Sequence, residues 1–304
     1  MNNITVSVFI LTYNQEQFIA QTIESILIQK TSFKYQLVIG EDYSTDNTRI
    51  VCEKYAKEFG SKIKLLPKLQ ENIGLIANYM RTIAACDGKY IAICDGDDFW
   101  IDDNKLQKQV DFLENNPDYS LVYTGVRKLF IDGKTVDSTY NLEKKDPDFD
   151  DLIFNNFIYS VTALFKNIQN IEAVPSWFIK FPFGDWQTYL WVLKDGGKIH
   201  FLDDISSVYR MNIGVSSGYM SRNSSFIQVL LKILNNIYSD ESFSHRKEIV
   251  ALSIAVKRND LMTSFNREKL YFKAFMQYVS IMKNSKESYQ VTKLYFYSIY
   301  KSFK

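Results

Sequence analysis

Asp95, Asp97 and Asp98 put three carboxylates within four residues, directly after the apolar run Tyr90-Ile91-Ala92-Ile93-Cys94. That run reads as a strand, so the acids gather just past a strand end and repel one another. A divalent cation removes the repulsion, and hard oxygen ligands suit Mg²⁺ or Mn²⁺. A metal there could in turn hold a diphosphate. The chemistry needs two further things from the chain, a nucleotide pocket and a base.

The elements that would position these acids are legible as alternating strands and helices. Val6 to Leu11 is a nearly continuous apolar run, read as a strand buried on both faces. Phe18, Ile19, Thr22, Ile23, Ile26 and Leu27 recur at helical spacing between Gln15 and Gln29. A second strand runs from Tyr35 to Gly40, a helix from about Asn47 to Phe59 with Asp46 as its N-cap, and a third strand from Ile63 to Leu66. Leu75 to Ala85 is helical and Lys89 to Cys94 is the fourth strand. The alternation implies βαβ units around a mainly parallel sheet, and ligands in such sheets bind at the carboxyl ends of the strands. Thr12-Tyr13-Asn14, Glu41-Asp42 and Asp95 to Asp98 all follow strands and should share one rim.

Further along, Asp103 to Asn115 reads as a helix and Tyr119 to Phe130 as a strand. Residues 131 to 150 read as a polar excursion, mobile or variable, Phe183 to Leu193 as a helix, and Lys198 to Leu202 and Ser207 to Met211 as two short strands. Past about Met220 only amphipathic helices remain. The expected organisation is an α/β catalytic domain over 1–219, with a nucleotide half near 1–100 and an acceptor half near 101–219, followed by a helical region over 220–304.

Composition narrows the class. The chain has 304 residues, 46% hydrophobic and 15% aromatic, ample for a buried core, and a net charge of +1 that gives no global attraction to nucleic acid. Cys52, Cys86 and Cys94 are an odd number without CxxC spacing, which fits a reducing compartment. The first residues do not form a signal peptide, and no apolar stretch reaches the roughly 18 residues that span a bilayer. The expected location is the cytoplasm, with attachment at the membrane's inner face still open. No G-x-G-x-x-G occurs, and Gly133-Lys134-Thr135 lacks the first glycine of a P-loop, since Lys128 stands there. The acidic run fails as an EF-hand, His200 and His245 are isolated, and no serine lies in a nucleophile elbow.

Four landmarks together resemble the family 2 glycosyltransferases, inverting enzymes of GT-A fold that use nucleotide sugars. Val8 to Asn14 is similar to the family's opening strand with its Tyr-Asn end. Ile39-Gly40-Glu41-Asp42-Tyr43-Ser44-Thr45-Asp46-Asn47-Thr48 is similar to its "DDGSTDNT" stretch. Glu71-Asn72-Ile73-Gly74 with Asn78 resembles its "N-x-G…N" segment, and Asp95-Gly96-Asp97-Asp98 its metal-binding DxD. The resemblance covers about the first 215 residues. It implies a GT-A fold, a UDP-linked sugar donor, a divalent metal and transfer to a hydroxyl.

Site roles follow from residue chemistry and from that resemblance. Tyr13, flanked by Thr12 and Asn14, could stack on a nucleobase. Asp42 could accept the imide N–H of a uracil, the role the resemblance gives it. Asn72 and Gly74 would let backbone approach the nucleotide. Asp97 is the preferred metal ligand, with Asp95 on the ribose or the metal's shell, Gly96 between them, and Asp98 facing the sugar or supporting the metal. Inversion by direct displacement needs a base opposite the leaving group, and Asp185 in Phe183-Gly184-Asp185-Trp186 fits at a helix start whose dipole favours its charge. Trp186 would border the acceptor. Asp203 and Asp204 are the alternative bases.

Tyr209-Arg210-Met211-Asn212-Ile213-Gly214-Val215-Ser216-Ser217 resembles the family's closing "Y-R-x-H-x-x-G-x-S". Arg210 could reach a phosphate, and Ser216 and Ser217 could sit on a loop closing over the nucleotide. Asn212 stands where a metal-contacting His is common, and Ala77 replaces an Arg that often precedes the Asn matched to Asn78.

The last helix, from about Ser285, carries many aromatics and lysines. Packing on a neighbour or a second subunit is one reading and contact with anionic lipid the other. The sequence as a whole reads as a metal-dependent inverting glycosyltransferase acting on a glycan or lipid-linked glycan in bacterial surface polysaccharide synthesis. A sugar nucleotidyltransferase and a non-catalytic nucleotide- or glycan-binding module are the alternatives.

Overall fold

Val6–Thr12 forms β1, buried over all seven residues, as a strand covered on both faces must be. The computed structural model describes residues 4–139, 146–168, 170–213, 223–283 and 288–303. Helix α1 spans Ile19–Leu27 and buries Ile19, Ile23 and Ile26, one helical face, into the core. It starts four residues after Gln15, where the expected helical segment opens. The reason is that the Gln15 and Glu16 N–H groups are donated to Thr48 Oγ1 (2.7 Å) and Asp46 Oδ2 (3.1 Å), which holds the chain in a turn.

Strand β2 (Tyr35–Glu41), helix α2 (Thr48–Phe59), strand β3 (Ile63–Leu65), helix α3 (Leu75–Ala84) and strand β4 (Tyr90–Ile93) complete the alternation. Asn47, not Asp46, holds the N-cap position of α2, although Asp46 Oδ1 accepts the Thr48 N–H at 2.9 Å. Then come β5 (Phe99–Trp100), α4 (Lys105–Asn115), β6 (Tyr119–Leu129), β7 (Thr135–Ser138), α5 (Phe149–Leu152), β8 (Leu164–Lys166), α6 (Asp185–Leu193) and β9 (Lys198–Arg210).

The strands make one sheet in the order β3-β2-β1-β4-β8-β6-β9-β5, with β7 paired to β6. β3, β2, β1 and β4 are parallel neighbours; β8 runs antiparallel to β4 and β6, while β6 and β9 are parallel. The excursion after β6 is therefore partly a hairpin, because β7 pairs back along Val126 to Leu129. The two short strands expected near the end of the sheet are one. Pairing passes from Thr124 and Leu202 to Gly125 and Ile205, so Asp203 and Asp204 are the extra residues of a bulge rather than a turn.

The chain divides into two compact units, Met1–Leu152 with Asn156–Gly214, and Ile153–Asn155 with Val215–Lys304. The second unit holds α7 (Ser224–Ser239), α8 (Lys247–Arg267), α9 (Tyr271–Met282) and α10 (Ser288–Ser302). Its core gathers Ile227, Leu261, Met262, Phe265, Ala274 and Tyr295. Among the described residues no helix is long and apolar enough to cross a membrane.

Candidate active site

Strand register builds the site. Thr12 lies beside Glu41, Phe9 beside Ile93, and the Gly96 N–H is donated to Leu11 O at 2.9 Å. The loops after β1, β2 and β4 therefore open on the same edge of the first unit.

The first two loops are stitched together. Asn14, at φ 52°, donates its N–H to Ser44 Oγ (3.0 Å), and its Oδ1 accepts the Thr45 N–H (2.8 Å). Thr12 is buried, while Tyr13 is 45% exposed. Asp42 is buried and tied to the loop before α3. Its Oδ1 accepts the Ile73 N–H at 2.9 Å and its Oδ2 the Asn72 side-chain N–H at 3.0 Å. Asn72 thus spends its amide on Asp42. Gly74 follows at φ 85°, a backbone angle that favours glycine, and leads into α3. Each Asp42 oxygen keeps a second lone pair able to accept. No cation precedes Asn78, as the sequence shows, but Arg81 one turn later donates to Asn78 Oδ1 (2.8 Å) and to Glu41 O (2.6 Å).

The acidic loop is held from several sides. A Cβ on Gly96 would stand 2.4 Å from Gln15 Oε1 and 2.8 Å from Thr12 Oγ1, so only glycine fits there. Thr22 Oγ1 donates towards Gly96 O and Asp98 O (3.0 and 2.6 Å). Asp95 Oδ2 accepts the Ser160 hydroxyl at 3.1 Å. Burial, then the neighbouring Asp97, pushes the Asp95 carboxyl up to about 7. Burial also raises Asp97 and Asp98.

Asp98 and Arg210 tie the acidic loop to the end of β9. Asp98 is 1% exposed, and its Oδ1 accepts the Arg210 backbone N–H at 2.9 Å. It braces the loop through that oxygen, while its Oδ2 is buried without a hydrogen-bond partner. The Arg210 guanidinium donates to Asp97 O and to Gln21 Oε1 (2.6 Å) and lies 4.6 and 4.8 Å from the Phe18 and Phe99 ring centroids. It is a strut for the acidic loop.

Asp185 opens α6. Its Oδ2 accepts the Asn156 side-chain N–H at 2.8 Å, and burial raises its carboxyl. Tyr79 of α3 packs so tightly here that a Cβ on Gly184 would stand 2.9 Å from its ring. Asp185 and Asp95 are near enough for the negative charge of the first to raise the second. Asn156 and Ser160 therefore bond one to each of the two separated carboxylates. Neither was legible in the sequence, because their stretch has no periodicity and no charge.

A family model described as glycosyl transferase family 2 matches residues 7–167. The chain is a family 2 glycosyltransferase. An uncharacterized protein of Mycobacterium tuberculosis is 31% identical over 206 residues, 67% of this chain and 58% of the relative, so the chain spans less than two thirds of that relative. TuaG of Bacillus subtilis, named a putative teichuronic acid biosynthesis glycosyltransferase, is 29% identical over 70% of this chain and 81% of its own. Among solved structures, the mannosyltransferase PcManGT of Pyrobaculum calidifontis, in complex with GDP-Man and Mn²⁺, superposes with a TM-score of 0.61 at 15% identity, covering 99% of this chain and 81% of that one. TarS 1-349 of S. aureus, in complex with UDP-GlcNAc, gives 0.56 at 18% identity over 98% of this chain and 80% of that one. These likenesses are of fold, and the fold is GT-A.

In this glycosyltransferase Trp186 does not border an acceptor. It is 1% exposed and donates its indole N–H to Leu152 O at 2.9 Å, so it anchors α6 to α5. Asn212 is exposed at φ 62°, and Gly214, Val215, Ser216 and Ser217 lie outside the described residues. Of the alternative bases, Asp204 pairs with Lys108 at 3.2 Å.

Among the described residues no three His, Cys, Asp or Glu side chains converge as a ready cage for a metal. The donor set fits a different kind of site. Asp95 and Asp97 are adjacent carboxylates whose burial is unfavourable while both are ionised, and one Asp95 oxygen has no bond to Ser160. Mg²⁺ and Mn²⁺ are commonly held by one or two carboxylates, with substrate phosphates and water completing the shell.

Proposed function

We propose that this family 2 glycosyltransferase moves a sugar from a nucleoside-diphosphate donor, UDP-linked, to a hydroxyl of a glycan or lipid-linked glycan, with inversion. One observation carries the reading: Asn156 bonds Asp185 at 2.8 Å and Ser160, four residues on, bonds Asp95 at 3.1 Å, so one short segment holds both carboxylates, with Asp95 on the edge where β1, β2 and β4 end. The relatives support the direction, since TuaG is named for teichuronic acid biosynthesis and TarS and PcManGT were solved with nucleotide sugars. Three free buried thiols suit a reducing, cytoplasmic setting.

In this reading Tyr13 stacks on the base and Asp42, already oriented by Asn72 and Ile73, accepts its imide N–H. Asp97 and Asp95 hold Mg²⁺ or Mn²⁺, which when bound neutralises the charge developing on the diphosphate. Asp185 takes the proton of the acceptor hydroxyl. The acceptor oxygen forms its bond to C1 from the face opposite the diphosphate, and the C1–O bond to the diphosphate breaks. A carboxyl raised by burial is the stronger base for that proton, and the Asn156 N–H fixes the oxygen it bonds.

Thermal unfolding with a panel of nucleotide sugars, each with and without Mn²⁺, tests the donor and the metal together. Stabilisation by a UDP-sugar that requires Mn²⁺ and disappears in Asp97→Ala is the expected result. Equal stabilisation without metal, or in the variant, would remove the metal from the site. No response to any UDP-sugar would overturn the donor.

A further inference from the structure

The last two helices are apolar on two sides. In α9 the face carrying Ala274, Tyr278 and Ile281 packs into the core of the second unit, and in α10 the face carrying Val291, Tyr295 and Ile299 is turned inwards. A helix that buries one stripe ordinarily offers solvent a polar one. Here α9 instead exposes Phe272, Phe275 and Met276, at 76, 47 and 53%. On α10 the open stripe is Tyr289, Phe296 and Tyr300, continued by Phe303 in the turn just past its end, again at helical spacing, with Tyr289 at 80% and Phe303 at 74%. The two stripes meet, because the Tyr271 ring stacks on Phe303 at 5.8 Å, one residue before Phe272. A continuous exposed patch of large aromatics on a folded chain marks a surface that something covers.

Charge says what covers it. Residues 269–304 contain seven lysines and one glutamate, while the preceding 268 residues contain 29 basic and 34 acidic side chains. Neither α9 nor α10 carries an acidic residue. Lys293 lies within the aromatic stripe of α10, between Tyr289 and Phe296, and Lys273 follows Phe272; both are exposed. A long lysine stem can lie along apolar surface while its ammonium reaches an anionic head group. Two copies of this face brought together would set lysines against lysines with no acid to separate them.

We infer that the α9–α10 face docks on an anionic lipid surface, its aromatics entering the interfacial layer and its lysines meeting phosphate head groups. The inference stands apart from the donor, metal and base assigned above, and its test uses no nucleotide sugar.

The test is co-sedimentation of the full chain with vesicles of phosphatidylcholine alone and of an equimolar mixture with phosphatidylglycerol, at low and high salt. Binding to the mixed vesicles only, weakened by salt, is expected. The triple variant Phe272→Ser, Phe296→Ser, Phe303→Ser and the double variant Lys273→Glu, Lys293→Glu should each lose about tenfold or more in partitioning, with unfolding temperatures near that of the parent. The double variant changes only exposed lysines and carries the test should the triple variant misfold. Binding equal on neutral vesicles, or absent from both, overturns the inference. So does a dimer in sedimentation equilibrium that either variant dissociates, which would make this face a contact between copies.

Discussion

Arg210 and Asp98 are joined main chain to side chain: the Arg210 N–H is donated to Asp98 Oδ1 at 2.9 Å while the Arg210 guanidinium binds the carbonyl oxygen of Asp97. The end of β9 thereby clamps both sides of the peptide between the two acids. Two rings, Phe18 and Phe99, flank the guanidinium, so it is held by stacking as well as by hydrogen bonds.

Arg210→Lys should therefore not behave as a conservative change. An ammonium cannot reach Asp97 O and Gln21 together or lie flat between two rings. A loss of about 2–4 kcal/mol in urea unfolding is expected, from a broken, largely buried, charge-assisted network. Donor affinity in the presence of Mn²⁺ should fall with it, because the acidic loop proposed to hold the metal loses its brace. Unchanged stability with a selective loss of phosphate binding would return Arg210 to the role its sequence motif suggested.

Asp95 gives the metal-free protein a pH dependence of definite sign. Its folded-state value is about 7, above the usual carboxylate value near 3.9, so between those limits the folded state binds the additional proton. Stability from this group is fully present below about pH 4 and is lost as pH rises through about 7, a fall on the order of 3–4 kcal/mol. In EDTA, wild-type chemical stability minus that of Asp95→Asn should decline from pH 4 to pH 8. A difference that is flat over that range would show that Asp95 is ionised throughout in the folded chain.

Asn156→Ala tests how the proposed base is held. The Asn156 N–H favours the ionised form of Asp185, so its removal should raise the Asp185 carboxyl further. The acidic limb of the kcat/KM profile should move to higher pH, with the plateau down by about tenfold, a typical cost for a misaligned base. Donor binding should be unchanged. Asp185→Asn should keep donor binding and lose transfer by about 10²–10⁴, the range general-base catalysis supplies. A pH profile unmoved in Asn156→Ala would mean that Asn156 shapes the loop without acting on Asp185.

The parts legible in the sequence are those whose signal is local. β1, β2 and β4 announce themselves as short apolar runs closed by polar loops, and the parallel topology then brings Thr12, Asp42 and Asp95 to one edge. What stayed hidden depends on partners distant in the chain. Arg210 reads as a phosphate ligand until Phe18 and Phe99 close on it, 192 and 111 residues away. Trp186 reads as a border of the acceptor until Leu152 O takes its N–H. Asp203 and Asp204 interrupt an apolar alternation and so suggest a turn, yet a bulge absorbs both and β9 continues. Ser160 and Asn156 have no pattern to announce them, and only the fold sets them against Asp95 and Asp185.

Lys105 carries the remaining prediction, and its sign is opposite to that of Asp95. It is buried at the start of α4, where its Nζ donates to Gln109 Oε1 at 2.8 Å and lies 4.3 Å from the Trp100 ring centroid. The ring favours the ammonium, but burial outweighs it and lowers the group to about 7. An unfolded lysine titrates near 10.4, so between about pH 7 and that value the unfolded chain binds the additional proton. Stability from this group therefore rises with pH across the window, by about 4 kcal/mol over its full width. Lys105→Met keeps the volume and removes the titration, at the cost of the Gln109 hydrogen bond, about 1 kcal/mol. Urea unfolding should find the variant's advantage over wild type greatest near pH 7 and shrinking towards pH 10. The same difference at both pH values would mean that Lys105 stays charged in the folded protein, its burial offset by Trp100 and Gln109.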